Sequence, residues 1–189
     1  MDNKKFLLKL KKSWFVILVL FILIRCILNP QGIKVLLFNI SPNFINLILF
    51  LGILIFPIIF WVPEKREVKW IKISYNIIAS IIMVLSLIIY VFLFSEIKYF
   101  NFTSPNGNRT LVVEEDSFLL SGRSYFYEKK FGIFIKSLSK EISTDDGFRP
   151  FSTDSYRLTW KDEDTVKIEY DFGSAGIWKN ERIDFKRSN

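Results

Sequence analysis

The sequence predicts a membrane α-helical region of three transmembrane helices joined to an all-β domain, a small antiparallel sandwich or open barrel at the carboxyl end. Three observations predict it: long runs without charge in the first half, period-two alternation in the second half, and a basic excess confined to the flanks of the runs. The boundary falls after residue 95, giving a transmembrane region over 1–95 and an extracytoplasmic β domain over 96–189.

The spans are placed at about 13–29, 44–62 and 73–95. A spanning helix needs about 20 mostly apolar residues, within a range of about 17–25. Ile73–Ser95 meets this throughout. The second span lies in the chargeless stretch Val35–Pro63, and Pro57 inside it predicts a kink, which lipid-embedded helices tolerate. The first runs from Ser13 to Asn29 and is interrupted by Arg25. Arg25 lies toward the far end, so it reads as a guanidinium snorkelling to the headgroups. The competing reading is a paired charge on a substrate path, and against it no Asp or Glu lies in any span. Cys26 reads as a buried apolar thiol. No small-x-small site follows the run and Arg25 directly precedes Cys26, so an uncleaved signal anchor is expected. Val35–Ile40 is too short to cross and is expected in the outer interface or packed on the spanning helices. Gly52, Ala79, Ser80 and Ser86 are the small residues available for close helix approach.

Charge sets the orientation. The net +7 lies beside the spans, with five Lys near the amino terminus and Lys65, Arg66, Lys69 and Lys72 in the second loop. Residues 96–189 carry 15 basic and 16 acidic side chains. The positive-inside rule then places the amino terminus and second loop in the cytoplasm and the carboxyl domain outside a cell membrane. Trp14, Trp61, Trp70 and Tyr75 all fall at the predicted inner interface. A basic excess of this kind does not call for nucleic acid, because no basic stripe remains on the β domain.

The β domain has 17 aromatic residues and no sustained helical period. Alternation is clearest over Asp164–Phe172, with Val166, Ile168, Tyr170 and Phe172 on one face and Thr165, Lys167, Glu169 and Asp171 on the other. Arg157–Trp160 pairs with it across the polar turn Lys161–Asp164. Further strands are expected at Ile97–Phe102, Thr110–Glu115, Ser124–Phe131, Gly132–Leu138 and Arg182–Lys186. Ser104-Pro-Asn-Gly-Asn108, Asp145-Asp-Gly147 and Gly173-Ser-Ala-Gly176 are turn signals.

Chemistry is sparse. The chain has no histidine and one cysteine, which excludes His-dependent acid–base catalysis, His ligation, an intrachain disulfide and a multi-cysteine metal site. Acidic clusters at Glu114–Asp116, Asp145-Asp146 and Asp162–Asp164 read as solvated turns. Calcium is the competing reading, but the D-x-D-x-D-G…E loop is absent. No nucleophile elbow, phosphate loop or dinucleotide fingerprint is present. Asn39, Asn101 and Asn108 open glycosylation-type triplets that an Asn-rich chain produces by chance. No catalytic, cofactor or metal residue is assigned.

The pattern Ser104-Pro-Asn-Gly107…Thr110-Leu-Val-Val113, followed by Trp160-Lys-Asp-Glu-Asp-Thr-Val-Lys-Ile168, resembles the carboxyl domain of small membrane proteins and lipoproteins of Gram-positive bacteria. That domain family has no known function. The resemblance spans at most residues 101–185, implies a bacterial cell-surface setting and carries over no catalytic residue. The expected function is a non-enzymatic binding or interaction module, accessory or immunity-like, whose partners are the lipid bilayer and a membrane or envelope protein. The alternative is a small transporter or channel subunit with Arg25 and Pro57 lining a path. The oligomeric state stays open.

Overall fold

The computed structural model describes residues 3–38, 40–61, 66–174 and 176–187. The chain divides into two compact units. A helical unit runs to Gln31 and from Pro42 to Phe94; a β unit takes in Gly32–Ser41 and the chain from Ser95 onward.

The helical unit contains α1 (Asn3–Ile22), α2 (Pro42–Phe60) and α3 (Arg66–Leu93). Each supplies a stretch long and apolar enough to cross a membrane, with mean hydropathies of 2.1, 2.5 and 2.6. These stretches, Lys5–Gln31, Pro42–Phe60 and Val68–Leu93, include 27, 19 and 26 residues. At 1.5 Å per residue the shortest is about 28 Å long, close to the ~30 Å hydrocarbon thickness. The fold is therefore compatible with a multi-pass membrane protein. Beyond α1 the helix widens into a π-helical turn, Leu23–Leu28, and closes as a 3₁₀ turn over Asn29–Gln31. Arg25 and Cys26 lie in the π-helical turn. Cys26 is exposed, which corrects its reading as a buried thiol.

α2 packs against both α1 and α3 and continues through Pro57. A proline has no N–H, so the carbonyl four residues earlier, Ile53, loses its helical partner. Trp14 from α1 donates its indole N–H to that carbonyl at 3.0 Å. Tyr75 from α3 donates its hydroxyl to the next carbonyl, Leu54, at 2.9 Å. Trp14, predicted as an interfacial anchor, thus also mends the backbone break at Pro57, which is how lipid-embedded helices tolerate proline, and Tyr75 adds a donor beside it. Gly52 lies against Ile17 of α1, where an added Cβ would make a contact of 3.4 Å. Ala79 on α3 is buried, while Ser80 is exposed.

The β unit is an open antiparallel sandwich and not a closed barrel. One sheet has five strands, β1 (Ile33–Val35), β2 (Lys98–Thr103), β3 (Thr110–Phe118), β4 (Ser121–Lys130) and β5 (Phe134–Asp145), in the order β1-β5-β4-β3-β2. The other has three, β6 (Tyr156–Asp162), β7 (Thr165–Asp171) and β8 (Trp178–Asp184), in chain order. The predicted hairpin forms as β6–β7, with Leu158 opposite Ile168 and Trp160 opposite Val166. Asp162 accepts from the Asp164 backbone N–H at 2.8 Å and closes its turn. In the β2–β3 turn, Gly107 takes φ +74° and Ser104 bonds both ways with Arg109.

The main core lies between the sheets. Leu111, Val113 and Phe126 meet Val166, Ile168, Tyr170 and Ile183, all buried. Phe151, from the β5–β6 connection, fills the middle, with its ring centroid 4.7 Å from Tyr156 and 6.0–6.3 Å from Phe100, Phe102 and Phe126. Thr165, expected on the outer face, is instead buried and donates to Asp184 at 2.9 Å. Its position at the start of β7 places it beside β8 rather than in solvent.

A second cluster, Val112, Tyr127 and Ile135 with Leu36, covers the opposite face of the five-stranded sheet. β3 is therefore buried on both faces, and Leu111–Glu115 shows no alternation of burial. Leu36 comes from the loop between α1 and α2, and that loop supplies β1, whose Ile33, Lys34 and Val35 pair with Lys136, Ile135 and Phe134. The structure thus places residues 33–36 in the β unit, where sequence reasoning did not put them. Three residues are too few to show a strand period, which is why alternation does not reveal β1.

Candidate functional site

Three features of the β unit bear on function: a buried acidic strand, a charged groove and two apolar hairpin tips. Glu114, Glu115 and Asp116 form no solvated turn; they lie within β3, which corrects that reading. Successive strand residues point to opposite faces, so the three carboxylates cannot converge on one cation. Each has its own partner. Glu114 receives Lys34 Nζ at 2.6 Å, and that ammonium also lies 4.8 Å from the Tyr127 ring centroid. Burial, then the charge and hydrogen bond of Glu114, push the Tyr127 hydroxyl far above its ordinary pKa. Fully buried Glu115 accepts from the backbone N–H groups of Phe151 at 2.7 Å and Ser152 at 2.9 Å, and from the Ser152 hydroxyl. It anchors the connection that carries the Phe151 plug. Asp116 pairs with Arg123 at 3.2 Å.

The groove lies at the β6–β7 turn and the end of β8. Asp162, Glu163, Asp164, Arg182, Asp184 and Lys186 line a cavity of about 560 Å³. Behind it runs a continuous charge network. Arg109 pairs with Glu128 and, at 2.7 Å, with Asp164. Asp164 also receives Lys186 at 2.6 Å, and Lys130 pairs with Glu128 at 2.7 Å. The Lys186 hydrogen bond, followed by that of Arg109, holds the Asp164 carboxyl below its ordinary value. Asp164 in turn raises Lys186, and Glu128 raises Arg109. General acid–base catalysis needs a group moved toward neutrality. Here the acid moves down and the bases move up, so the three reinforce their charged forms. Among the described residues no group of three His, Cys, Asp or Glu side chains is arranged to hold a metal ion.

The tips carry a signal that residue type alone does not give. Left-handed turn positions favour Gly, Asn and Asp. The β3–β4 turn puts Leu119 there at φ +55°, and the β4–β5 turn puts Phe131 there at φ +49°. Leu119 is 83% exposed, Leu120 74% and Phe131 93%. Both turns break the local conformational rule and the burial rule at once, as does Phe38 at φ +47° and 91% exposure in the β1–α2 loop.

Of the remaining sequence candidates, Asn101 and Asn108 are exposed, in β2 and the β2–β3 turn. Asn39, Lys65 and Ala175 lie outside the described residues. Asp145 and Gly147 form the predicted turn, where Phe148 donates its N–H to the Asp145 carbonyl at 2.9 Å. The Lys34–Glu114 pair escapes sequence reasoning because its partners are 80 residues apart. Compared with known proteins, the chain matches no family model, no curated protein and no solved structure.

Proposed function

We propose that this chain is a multi-pass cell-membrane protein whose extracytoplasmic β domain binds a protein partner of the envelope and performs no catalysis. The observation that carries the reading is the pair of apolar hairpin tips, Leu119-Leu120 and Phe131, exposed in left-handed turns. Such side chains stabilise nothing in the isolated fold, and large exposed apolar groups mark interaction sites. The charged groove beside β8 adds a polar surface able to set orientation and partner choice. The ion-paired Asp164 carboxylate of the groove favours binding over chemistry.

The orientation rests on the basic flanks. Residues 32–41 belong to the β unit, so the first loop and the carboxyl domain share one side of the membrane. Three spans require that arrangement in either orientation, so it supports the number of spans. Against the transporter alternative, the carbonyl freed at Pro57 is taken by Trp14 and offers no polar step along a path.

Photo-crosslinking in intact cells tests the reading. A crosslinker at Leu119 or Phe131 should capture one discrete protein, while the same group at Lys167 should not. Capture of lipid alone, or equal capture from all three positions, overturns it. With Cys26→Ser as background, Gly107→Cys should react with an impermeant thiol reagent before lysis; reaction only after lysis overturns the orientation.

A further inference from the structure

Arg25 lies within the first apolar run, away from the basic flanks. Arg25 makes no hydrogen bond or ion pair among the described residues, and the three spans contain no acidic side chain to supply one. The helix is also distorted where Arg25 sits. Leu23–Leu28 is π-helical, a geometry that recurs at functional sites because it re-aims side chains at some cost in backbone bonding.

Arg25 opens onto a cavity of about 290 Å³ formed by residues of all three helices. Its lining gathers several of the few polar side chains of the spans: Asn43 and Asn46 from α2, and Ser86 and Tyr90 from α3, beside apolar walls that include Phe50. Asn46 Oδ1 is buried and accepts no hydrogen bond. Ser86 cannot serve it, because its hydroxyl is donated to the Ile82 carbonyl at 2.7 Å. A guanidinium without an anion and a buried carbonyl without a donor are both costly in a low-dielectric setting. Found together in one cavity, they define what would relieve both: a negative charge with a hydrogen-bond donor a short distance away, attached to an apolar body.

We propose that this cavity is a specific site for one anionic phospholipid with a hydroxyl-bearing headgroup. Its phosphodiester accepts from Arg25, its headgroup hydroxyl donates to Asn46, and an acyl chain lies along the Phe50 side. A guanidinium binds phosphate through paired, charge-assisted donors, which an ammonium does not reproduce. Phosphatidylcholine supplies the phosphate but no headgroup donor and no net charge, so it fills half of the requirement. The site lies in the anchor and is independent of the binding role assigned to the β domain.

Native mass spectrometry of the full chain, released from nanodiscs of mixed phosphatidylglycerol and phosphatidylcholine, tests this directly. The wild-type protein should retain one phosphatidylglycerol with a preference of about tenfold or more, the scale of one charge-assisted contact. Arg25→Gln should abolish the preference. Arg25→Lys should keep part of it, and Asn46→Leu should reduce it several-fold without changing the number of lipids seen with phosphatidylcholine alone. Unchanged helical circular dichroism separates these losses from misfolding. Excess inorganic phosphate should not displace the lipid. Equal retention of both lipids, or an unchanged preference in Arg25→Gln, overturns the site. Displacement by inorganic phosphate assigns it to a free anion and overturns the lipid assignment.

Discussion

Trp14 and Tyr75 in the helical unit give their donors to backbone carbonyls, whereas Arg109 and Lys186 in the β unit give theirs to the Asp164 carboxylate. The difference follows from the surroundings each unit is built for. A helix in hydrocarbon must satisfy its backbone internally, so a polar side chain is valuable where the backbone is broken, as at Pro57. A sandwich in water can leave charges on its rim, and paired charges there shape a surface more than they stabilise a core. Arg25 and Glu115 depart from these rules in opposite directions. Arg25 is an unpaired charge in the apolar unit, and Glu115 is a fully buried charge in the polar one. Glu115 is explained by its three donors; Arg25 has none of its own acceptors, and so points outside the chain.

The comparison is broken most severely at the sandwich core. Ile168 is fully buried between the sheets, so Ile168→Asp places a carboxylate where no partner exists. The cost should exceed about 5 kcal/mol, comparable with the stability of a small domain. The β unit of the full chain should become uniformly protease-sensitive while the helical circular dichroism persists. Lys167→Asp, one residue away and paired only with Glu169 on the surface, should shift stability by about 1 kcal/mol or less. Glu115→Gln is the next largest. The amide keeps one acceptor but turns an N–H group toward the backbone donors of Phe151 or Ser152, for a loss of about 2–3 kcal/mol. Hydrogen exchange should show the Phe151 and Ser152 amides losing protection first.

These two sites also show what the sequence made legible. The alternation Val166, Ile168, Tyr170 is a direct record of one buried face, and β7 appears with its hairpin partner close to where periodicity places it. β3 carries no such record, because Leu36, Tyr127 and Ile135 cover its second face. Burial on both sides erases the period and makes Glu114 and Glu115 look like part of a solvated acidic cluster. β5 runs seven residues past its expected end because a bulge interrupts its pairing. Tyr125 faces Glu141 while Tyr127 faces Ser137, and Ser139 takes φ +53°, so an irregular stretch separates Leu138 from Ile142 on the same face. The helices were legible from their chargeless runs, but the first is longer than expected, since Lys5–Lys12 continue it beyond the apolar stretch. The apolar tips were in view as residues and invisible as a site, because a Leu or Phe in a left-handed turn has no sequence signature.

The repair at Pro57 gives a sharper, smaller test. Trp14→Phe removes the donor to the Ile53 carbonyl while keeping an aromatic ring against Phe60, and should cost about 0.5–1.5 kcal/mol. Pro57→Ala restores the missing N–H and lets Ile53 bond within its own helix. If Trp14 acts by mending that break, the two substitutions are non-additive: Trp14→Phe should cost much less in the Pro57→Ala background. A double-mutant cycle read by unfolding in mixed micelles measures the coupling. Strict additivity would show that Trp14 matters only by packing.

The rim network should give the smallest effect, and its sign is fixed. Lys186 and Arg109 hold Asp164 below its ordinary value of 3.8, so this carboxylate favours the folded state above that pH. Its contribution is lost as pH falls through the lower, folded value. Lys186 is raised above 10.5, so its contribution is present below that pH and lost as pH rises through the folded value. Between these limits the pair should add a flat, salt-sensitive increment, because both groups are reachable by solvent and ions. Denaturant titrations of the wild type and Asp164→Asn should converge in acid and separate toward neutrality, by less in high salt. A wild-type advantage that grows as the pH falls below 3.8 would contradict the direction of the Asp164 shift and with it the assignment of Lys186 as its main partner.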